Sequence, residues 1–407
     1  MPSTVVKGQR MIENEPNIVL NINGQKTKEE QALKVHIRNF WENVGGVGRT
    51  STGKNWNIEM GRVDEIENQN YEVSRMEIQK QVRKLKNMKA MGPDGLPNEF
   101  YKEGGEKIQE GLYKLFKEIV KEEEVPITWN EVRITLLHKG GGKSKEELKN
   151  YRPIAVVNNI SNIFCGIMKE KMTQIVEDEN LLSEEQNGFR KDRRGTDNLY
   201  IIREIIDRAK KDKKKYYLAF LDIEKAYDSV NREALTCILR RKGFNNKIVK
   251  LIESLYRNTT ATYNLGNLQV EGVKSEKGVR QGCTLSPLLF SLFMEELICR
   301  IKKTGIGINI NGEKLAAMLF ADDVVLMAET VEDLQKLLNE VTRFSEELEI
   351  KFGINKCKIL IANDNGDRGN INIKLAGETL EIVEEYKYLG IIVESQGLKK
   401  ERNKLRW

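Results

Sequence analysis

The 407-residue sequence predicts an α+β fold: antiparallel strands forming a sheet backed by helices. Three observations carry this. Short apolar runs bounded by turn signals recur in the second half, as in Leu319–Leu326 and on either side of Ala376-Gly377. Between them lie segments with apolar residues at helical spacing, the clearest being Leu334, Leu337, Leu338, Val341, Phe344 and Leu348. No internal repeat of fixed period competes with that pattern.

The elements follow in order. Residues 1–73 are polar and weakly periodic, and Gly45, Gly46, Gly48 and the Thr/Ser-rich stretch after them read as linker. One or two helices at most are expected there, the best over Thr27–Glu42, with Thr27 and Glu30 at capping-box spacing. Order is expected from Ser74, which with Glu77 makes a second capping box ahead of Ile78, Val82, Leu85 and Met88. Gly92-Pro93-Asp94-Gly95 breaks that helix, and residues 106–120 form the next. Arg133–His138 reads as a strand and Lys139–Lys143 as a flexible tip. Gly142-Lys143-Ser144 is not a phosphate loop, which needs a glycine where Leu137 stands and a helix directly after it.

Thr196–Asp212 is a helix with Leu199, Ile202, Ile205, Ile206 and Ala209 as its inner face, and the basic run Lys210–Lys215 reads as its solvated end ahead of a nucleic-acid contact. Asn311-Gly312 signals a type I′ turn joining Gly305–Ile310 to Lys314–Phe320. Thr330 caps a helix running to Leu348, and Ile371–Leu375 pairs with Thr379–Val383 in a further hairpin.

Composition narrows the function classes. Charged residues make up 31% and net charge is +6, compatible with a polyanionic partner without requiring one. Five scattered cysteines and two histidines argue against a zinc site or a disulfide framework, and for a reducing compartment. No secretion signal and no apolar run of membrane-spanning length is present.

The chemistry concentrates in aspartates. Asp322 and Asp323 sit between Leu319-Phe320-Ala321 and Val324-Val325-Leu326, which places adjacent carboxylates at a hairpin tip where they repel. Folding alone does not favour that; divalent cations would. Asp222 follows another apolar run, Tyr217–Leu221, and its strand can neighbour the hairpin in one sheet. An aspartate after a strand often caps a loop, so Asp222 by itself says little. Together the three acids fit a two-metal site for nucleotidyl transfer.

Seven blocks then appear in order between residues 74 and 391. They are Gly92-Pro93-Asp94-Gly95, Asn150-Tyr151-Arg152-Pro153-Ile154, Asn187-Gly188-Phe189-Arg190, Leu221–Asp228, Gly278–Pro287, Phe320–Asp323 and Tyr386–Gly390. In these the chain resembles the reverse transcriptase domain of non-LTR (LINE-type) retrotransposons. The resemblance implies a right-hand polymerase. Residues 1–73 would be a partly disordered extension, 74–215 fingers with part of the palm, 216–395 the palm with active site and primer grip, and 396–407 the start of a truncated thumb.

It also implies roles. Asp222, Asp322 and the Ile223 carbonyl would ligate two Mg²⁺ ions, with Mn²⁺ able to substitute, and Asp323 would lie beside them. Tyr227 would exclude a ribose 2′-hydroxyl. Lys139 and Arg152 would reach the triphosphate, and Gln281-Gly282 would border the nucleotide. Tyr386, Lys387, Tyr388, Leu389 and Gly390 would form the primer grip. Lys356 would give a proton to pyrophosphate, although Glu349, Gly353 and Cys357 depart from the usual pattern there and leave Lys358 as a rival. The implied partners are an RNA template, a DNA primer and dNTPs, with no membrane, in the nucleus or cytoplasm. Weak template–primer binding is expected from a truncated thumb. The alternatives are an inactive RNA-binding remnant of such an element and a group II intron or retron enzyme; Tyr151–Ala155 and Arg280–Pro287 fit the LINE-type pattern better.

Overall fold

A computed structural model describes residues 18–48, 54, 56–61, 64–67, 69–310, 312–366 and 371–399. The chain divides into two compact units that interleave along the sequence. One comprises Met1–Lys54, Val63–Asp178 and Leu239–Ser286, the other Asn55–Arg62, Glu179–Ile238 and Pro287–Trp407.

The first unit is built on a four-stranded sheet in the order Tyr151–Val156, Glu131–His138, Thr260–Leu265, Leu268–Lys274. The outer pairs are antiparallel. The central pair is parallel, with Glu131 opposite Thr260 and Thr135 opposite Asn264. Through this pairing residues 239–286, which lie within the 216–395 segment read from sequence as palm, cluster with the first unit. Val132, Leu136, Ala261, Tyr263 and Val270 point to one face, where Leu33, Ile37 and Trp41 of helix Glu30–Val44 close the core. Trp41 stacks on Tyr263 at 5.1 Å.

That helix begins later than expected. Thr27 ends a short hairpin, Leu20–Ile22 against Gln25–Thr27, so its hydroxyl accepts from Glu29 N rather than capping the helix. The Ser74 capping box forms as expected, with Glu77 N donating to Ser74 Oγ and Ser74 N to Glu77 Oε2. Its helix stops at Lys84, short of Met88, whose φ of +56° no helix accommodates. Asn98 Nδ2 donates to Lys86 O at 2.8 Å and holds the chain in its new course.

The second unit carries a five-stranded sheet in the order Ala317–Phe320, Asp323–Ala328, Tyr216–Asp222, Lys358–Ala362, Glu381–Val383. Its pairs are antiparallel except the last, where Lys358 lies opposite Glu381 in parallel. Both faces are covered. Helix Gly195–Lys211 packs Ile202, Ile205 and Ile206 on Leu218, Phe220 and Val325, while the alternate residues Ala219, Leu221 and Val324 are equally buried. Thr330 Oγ1 accepts from Asp333 N, capping helix Val331–Leu348, and its predicted stripe from Leu334 to Leu348 is fully buried.

Three expectations need correction here. The 305–320 segment does not run as one hairpin: Ile308–Ile310 pairs with Glu313–Leu315, and Ala317–Phe320 joins the main sheet, while Asn311 lies outside the described residues. In the later hairpin Lys374–Leu375 pairs with Glu378–Thr379, but Glu381–Val383 leaves to pair with Lys358–Leu360. Finally, residues 56–61 are not free linker. Trp56, Ile58 and Met60 are buried, and the Glu296 carboxylate accepts from Glu59 N and Met60 N at 2.7 and 2.9 Å.

Candidate active site

The strand register builds the site. Asp323 opens the return strand of a hairpin, opposite Phe320 on one side and Asp222 on the other. Two residues, Ala321 and Asp322, make the turn. Ala321 has φ +60°, the sign a type II′ hairpin demands at its first position and one that a residue with a Cβ adopts at some cost. Gly188 packs on this turn so closely that a Cβ there would lie 2.1 Å from Ala321 N. The apolar runs therefore serve as rails: burial of Val324, Val325 and Leu221 sets which residues stand at the sheet's end, and the acids stand there.

Crowding shows in the electrostatics. Loss of water raises the half-buried Asp323 carboxyl to about 6, with the charges of Asp322 and Asp222 adding to the effect. Asp322, at the exposed turn, is raised too. Its carboxyl loses water to the surrounding chain, its own backbone N–H works against this, Asp222 adds like charge, and Lys356 offsets part. Asp222 has a cationic partner: Lys356 Nζ lies 2.8 Å from its Oδ2. Among the described residues no group of three or more Asp, Glu, His or Cys side chains is arranged to hold a metal by itself.

The segment before Lys356 is fitted to Asp222. Gly353 N donates to Asp222 O at 2.8 Å, and a Cβ on Gly353 would stand 3.2 Å from Asp222 Oδ2. Ile223 bridges to Phe352, and Cys357 Sγ accepts from Asp222 N at 3.4 Å. The departures from the expected pattern at Gly353 and Cys357 thus face the acid directly. Lys358, the rival to Lys356, instead pairs with Glu381 at 2.8 Å.

Tyr227 stacks face to face on Phe290 at 5.1 Å, with Phe189 edge-on at 6.4 Å. Sequence reading quoted Phe189 within its block but gave neither it nor Phe290 a role beside Tyr227. Tyr386 stacks on Phe220 at 4.4 Å, two residues before Asp222. Burial, with the nearby acids, pushes its phenol up to about 12. Tyr388 pairs with Ile391 across the turn Leu389-Gly390, both at positive φ as a type I′ hairpin requires. Lys387 is exposed on the same strand.

Four further residues lie in the first unit. Lys139 follows strand Glu131–His138, its Nζ donating to Lys149 O at 2.6 Å. Arg152 is exposed opposite Leu137 on the neighbouring strand. Gln281 is half-buried beside Gly282, whose φ is +104° and whose missing side chain lets Ala155 O approach to 2.6 Å of the Cβ position.

The chain resembles several known proteins in sequence. It is similar to the Retrovirus-related Pol polyprotein from type-1 retrotransposable element R2 of Nasonia vitripennis, 28% identical over 76% of this chain and 30% of that protein. It is also similar to the RNA-directed DNA polymerase from mobile element jockey of Drosophila melanogaster, 23% identical over 78% of this chain and 35% of that protein. The chain thus spans about a third of the length of these relatives. Among solved structures, apo telomerase from Candida tropicalis truncated from its C-terminal domain aligns with a TM-score of 0.45 and 15% identity, over 72% of this chain and 60% of that one. The family described as reverse transcriptase (RNA-dependent DNA polymerase) matches residues 138–393, a segment that takes in all three acids, Lys356 and the Tyr386–Gly390 turn. Enzymes of that family use divalent metals, and the resemblance to the non-LTR retrotransposon branch, read first from seven short blocks, extends over most of this sequence. The chain belongs to the reverse transcriptase family.

Proposed function

We propose that this chain is the polymerase body of a non-LTR retrotransposon protein and copies an RNA template into DNA from a primer and dNTPs. The observation that supports this most is the register that sets Asp222 opposite Asp323 with Asp322 at the adjoining turn. Carboxylate oxygens are the donors Mg²⁺ and Mn²⁺ prefer, so Asp222, Asp322 and the Ile223 carbonyl would hold two such ions, with substrate phosphate oxygens completing the set. Bound there, the ions would neutralise charge on the attacking and leaving oxygens of the transfer.

The chain's own groups do the rest. Asp323, opposite Asp222 in the sheet, would lie beside the Asp222–Asp322 pair as a third carboxylate. The Tyr227 ring, braced by Phe290 and Phe189, would exclude a ribose 2′-hydroxyl. Lys356 carries the proton that pyrophosphate takes on leaving, once released from Asp222. Lys139 and Arg152 bind triphosphate oxygens, Gln281 and Gly282 border the nucleotide, and Tyr386–Gly390 steady the primer end. Extension of a DNA primer on an RNA template, compared between the wild type and Asp222→Asn, tests the reading. Extension lost in the variant supports it; equal extension in both rejects it.

A further inference from the structure

We propose that Asn187, Asn198 and Tyr388 form a positioning relay that ties the 385–394 hairpin to the turn carrying Asp322, and so sets where the primer end lies relative to the acids. The proposal rests on the polymerase reading above.

Asn187 Nδ2 donates to Asn198 Oδ1 at 2.5 Å, and Asn198 Nδ2 donates to Tyr388 Oη at 2.9 Å. All three side chains are buried, and Asn198 sits in the inner stripe of helix Gly195–Lys211 one turn before Ile202. One end of the chain of bonds is anchored on the acid turn. Asn187 N donates to Leu319 O at 2.9 Å, Leu319 N donates to Glu185 O at 2.8 Å, and Gly188 presses on Ala321. The other end is anchored on the hairpin, since Tyr388 immediately precedes the Leu389-Gly390 turn. Its ring also packs 5.4 Å from Phe220, on the strand that ends at Asp222.

The composition of the relay points to position rather than stability. Asn187 Oδ1 is buried with no partner among the described residues. An orphaned acceptor is destabilising, and apolar side chains of like volume would cover Phe220 without that penalty. They would not supply direction. A hydrogen bond weakens steeply off its line, so two in series hold the Tyr388 hydroxyl at a fixed place against the helix and, through Asn187, against the turn. Tyr386 on Phe220 and the buried Val393 tie the same hairpin through apolar contact, and the relay adds the directional bond that reaches from it to the helix and the acid turn.

The test uses Tyr388→Phe, Asn198→Leu and the double variant of the full chain. Single-nucleotide extension is measured beside hydrogen exchange at the Asn187 and Leu319 amides. Displacement of a reacting end by a fraction of an ångström to an ångström costs up to about a hundredfold, so each single variant is expected to lower kcat about tenfold while KM for dNTP stays within about twofold. The double variant should lose no more than either single one, and exchange at both amides should rise while that at Ile359 and Leu360 does not. Unchanged kcat in Tyr388→Phe, losses that multiply, or losses that follow thermal stability overturn the relay. If the wild type extends nothing, the polymerase reading fails on its own, and unchanged exchange at Asn187 and Leu319 in Tyr388→Phe would still overturn the coupling.

Discussion

Lys356 Nζ lies 2.8 Å from Asp222 Oδ2, so the acid proposed to hold metal already carries an internal counter-cation. The pair is substantially exposed on the lysine side, at 68%, and an exposed pair contributes only about 0–1 kcal/mol. Its consequence is therefore for ligand competition more than for stability. Lys356→Met is expected to tighten Mn²⁺ binding a few-fold, read by electron paramagnetic resonance of free Mn²⁺, with little change in thermal stability. Equal or weaker binding in the variant would show that the ammonium does not compete.

The crowded acids make stability depend on pH in a definite direction. Asp323 binds its proton more tightly folded than unfolded, with a folded pKa of about 6 against an ordinary 3.8. Its contribution is present in full below the unfolded value and is lost as pH rises through the folded one. Without added metal, the protein should lose on the order of 1–2 kcal/mol from this group between about pH 4 and 6.5, after allowance for its partial exposure. Asp323→Asn should flatten that part of the profile in denaturant titrations. A wild-type curve that rises over the same window relative to the variant would contradict the assignment.

The Tyr227 ring stacks on Phe290 and meets Phe189 edge-on, and it lies outside the strands of the sheet. Tyr227→Ala should raise ribonucleotide incorporation relative to deoxynucleotide by about tenfold or more, since a steric gate acts through the excluded group alone. An unchanged ratio of kcat/KM values would place the gate elsewhere.

Arg300 and Glu296 form a buried pair at 2.7 Å, both under 3% exposed, and Arg300 also reaches Glu347 at 2.8 Å and Asn57 O at 2.7 Å. Arg300→Met leaves the Glu296 charge without its cation, held by the Glu59 and Met60 amides, and should destabilise by about 2–4 kcal/mol in urea unfolding. Adding Glu296→Gln should recover part of that loss, because the stranded charge goes. A loss below about 1 kcal/mol for the single variant would mean that the pair is far wetter than its burial implies.

The legible parts of this molecule were those with local causes. The Ser74 and Thr330 caps, the Leu334–Leu348 stripe and the apolar rails around Asp222 and Asp322-Asp323 each rest on neighbours within a few residues. What stayed hidden was set by pairing at a distance. Glu131–His138 lies parallel to Thr260–Leu265, which drew 239–286 into the first unit. Glu381–Val383 left its local hairpin because Lys358–Leu360 offered a parallel partner in the main sheet. Trp56, Ile58 and Met60 alternate as a strand would, but their burial depends on the Glu296 carboxylate far along the chain. At the site, the acids could be named from sequence, whereas the Lys356–Asp222 pair and the Asn187–Asn198–Tyr388 chain needed coordinates: helical spacing puts Asn198 on the inner face with Ile202, but its partners come from a distant loop and hairpin.

The most direct test is primer extension with a DNA primer on an RNA template, dNTPs and Mg²⁺, run for the wild type beside Asp322→Asn. The account predicts extension by the wild type that disappears with the substitution and on chelation of the metal. Extension that survives in Asp322→Asn, or that proceeds equally without divalent metal, would contradict it.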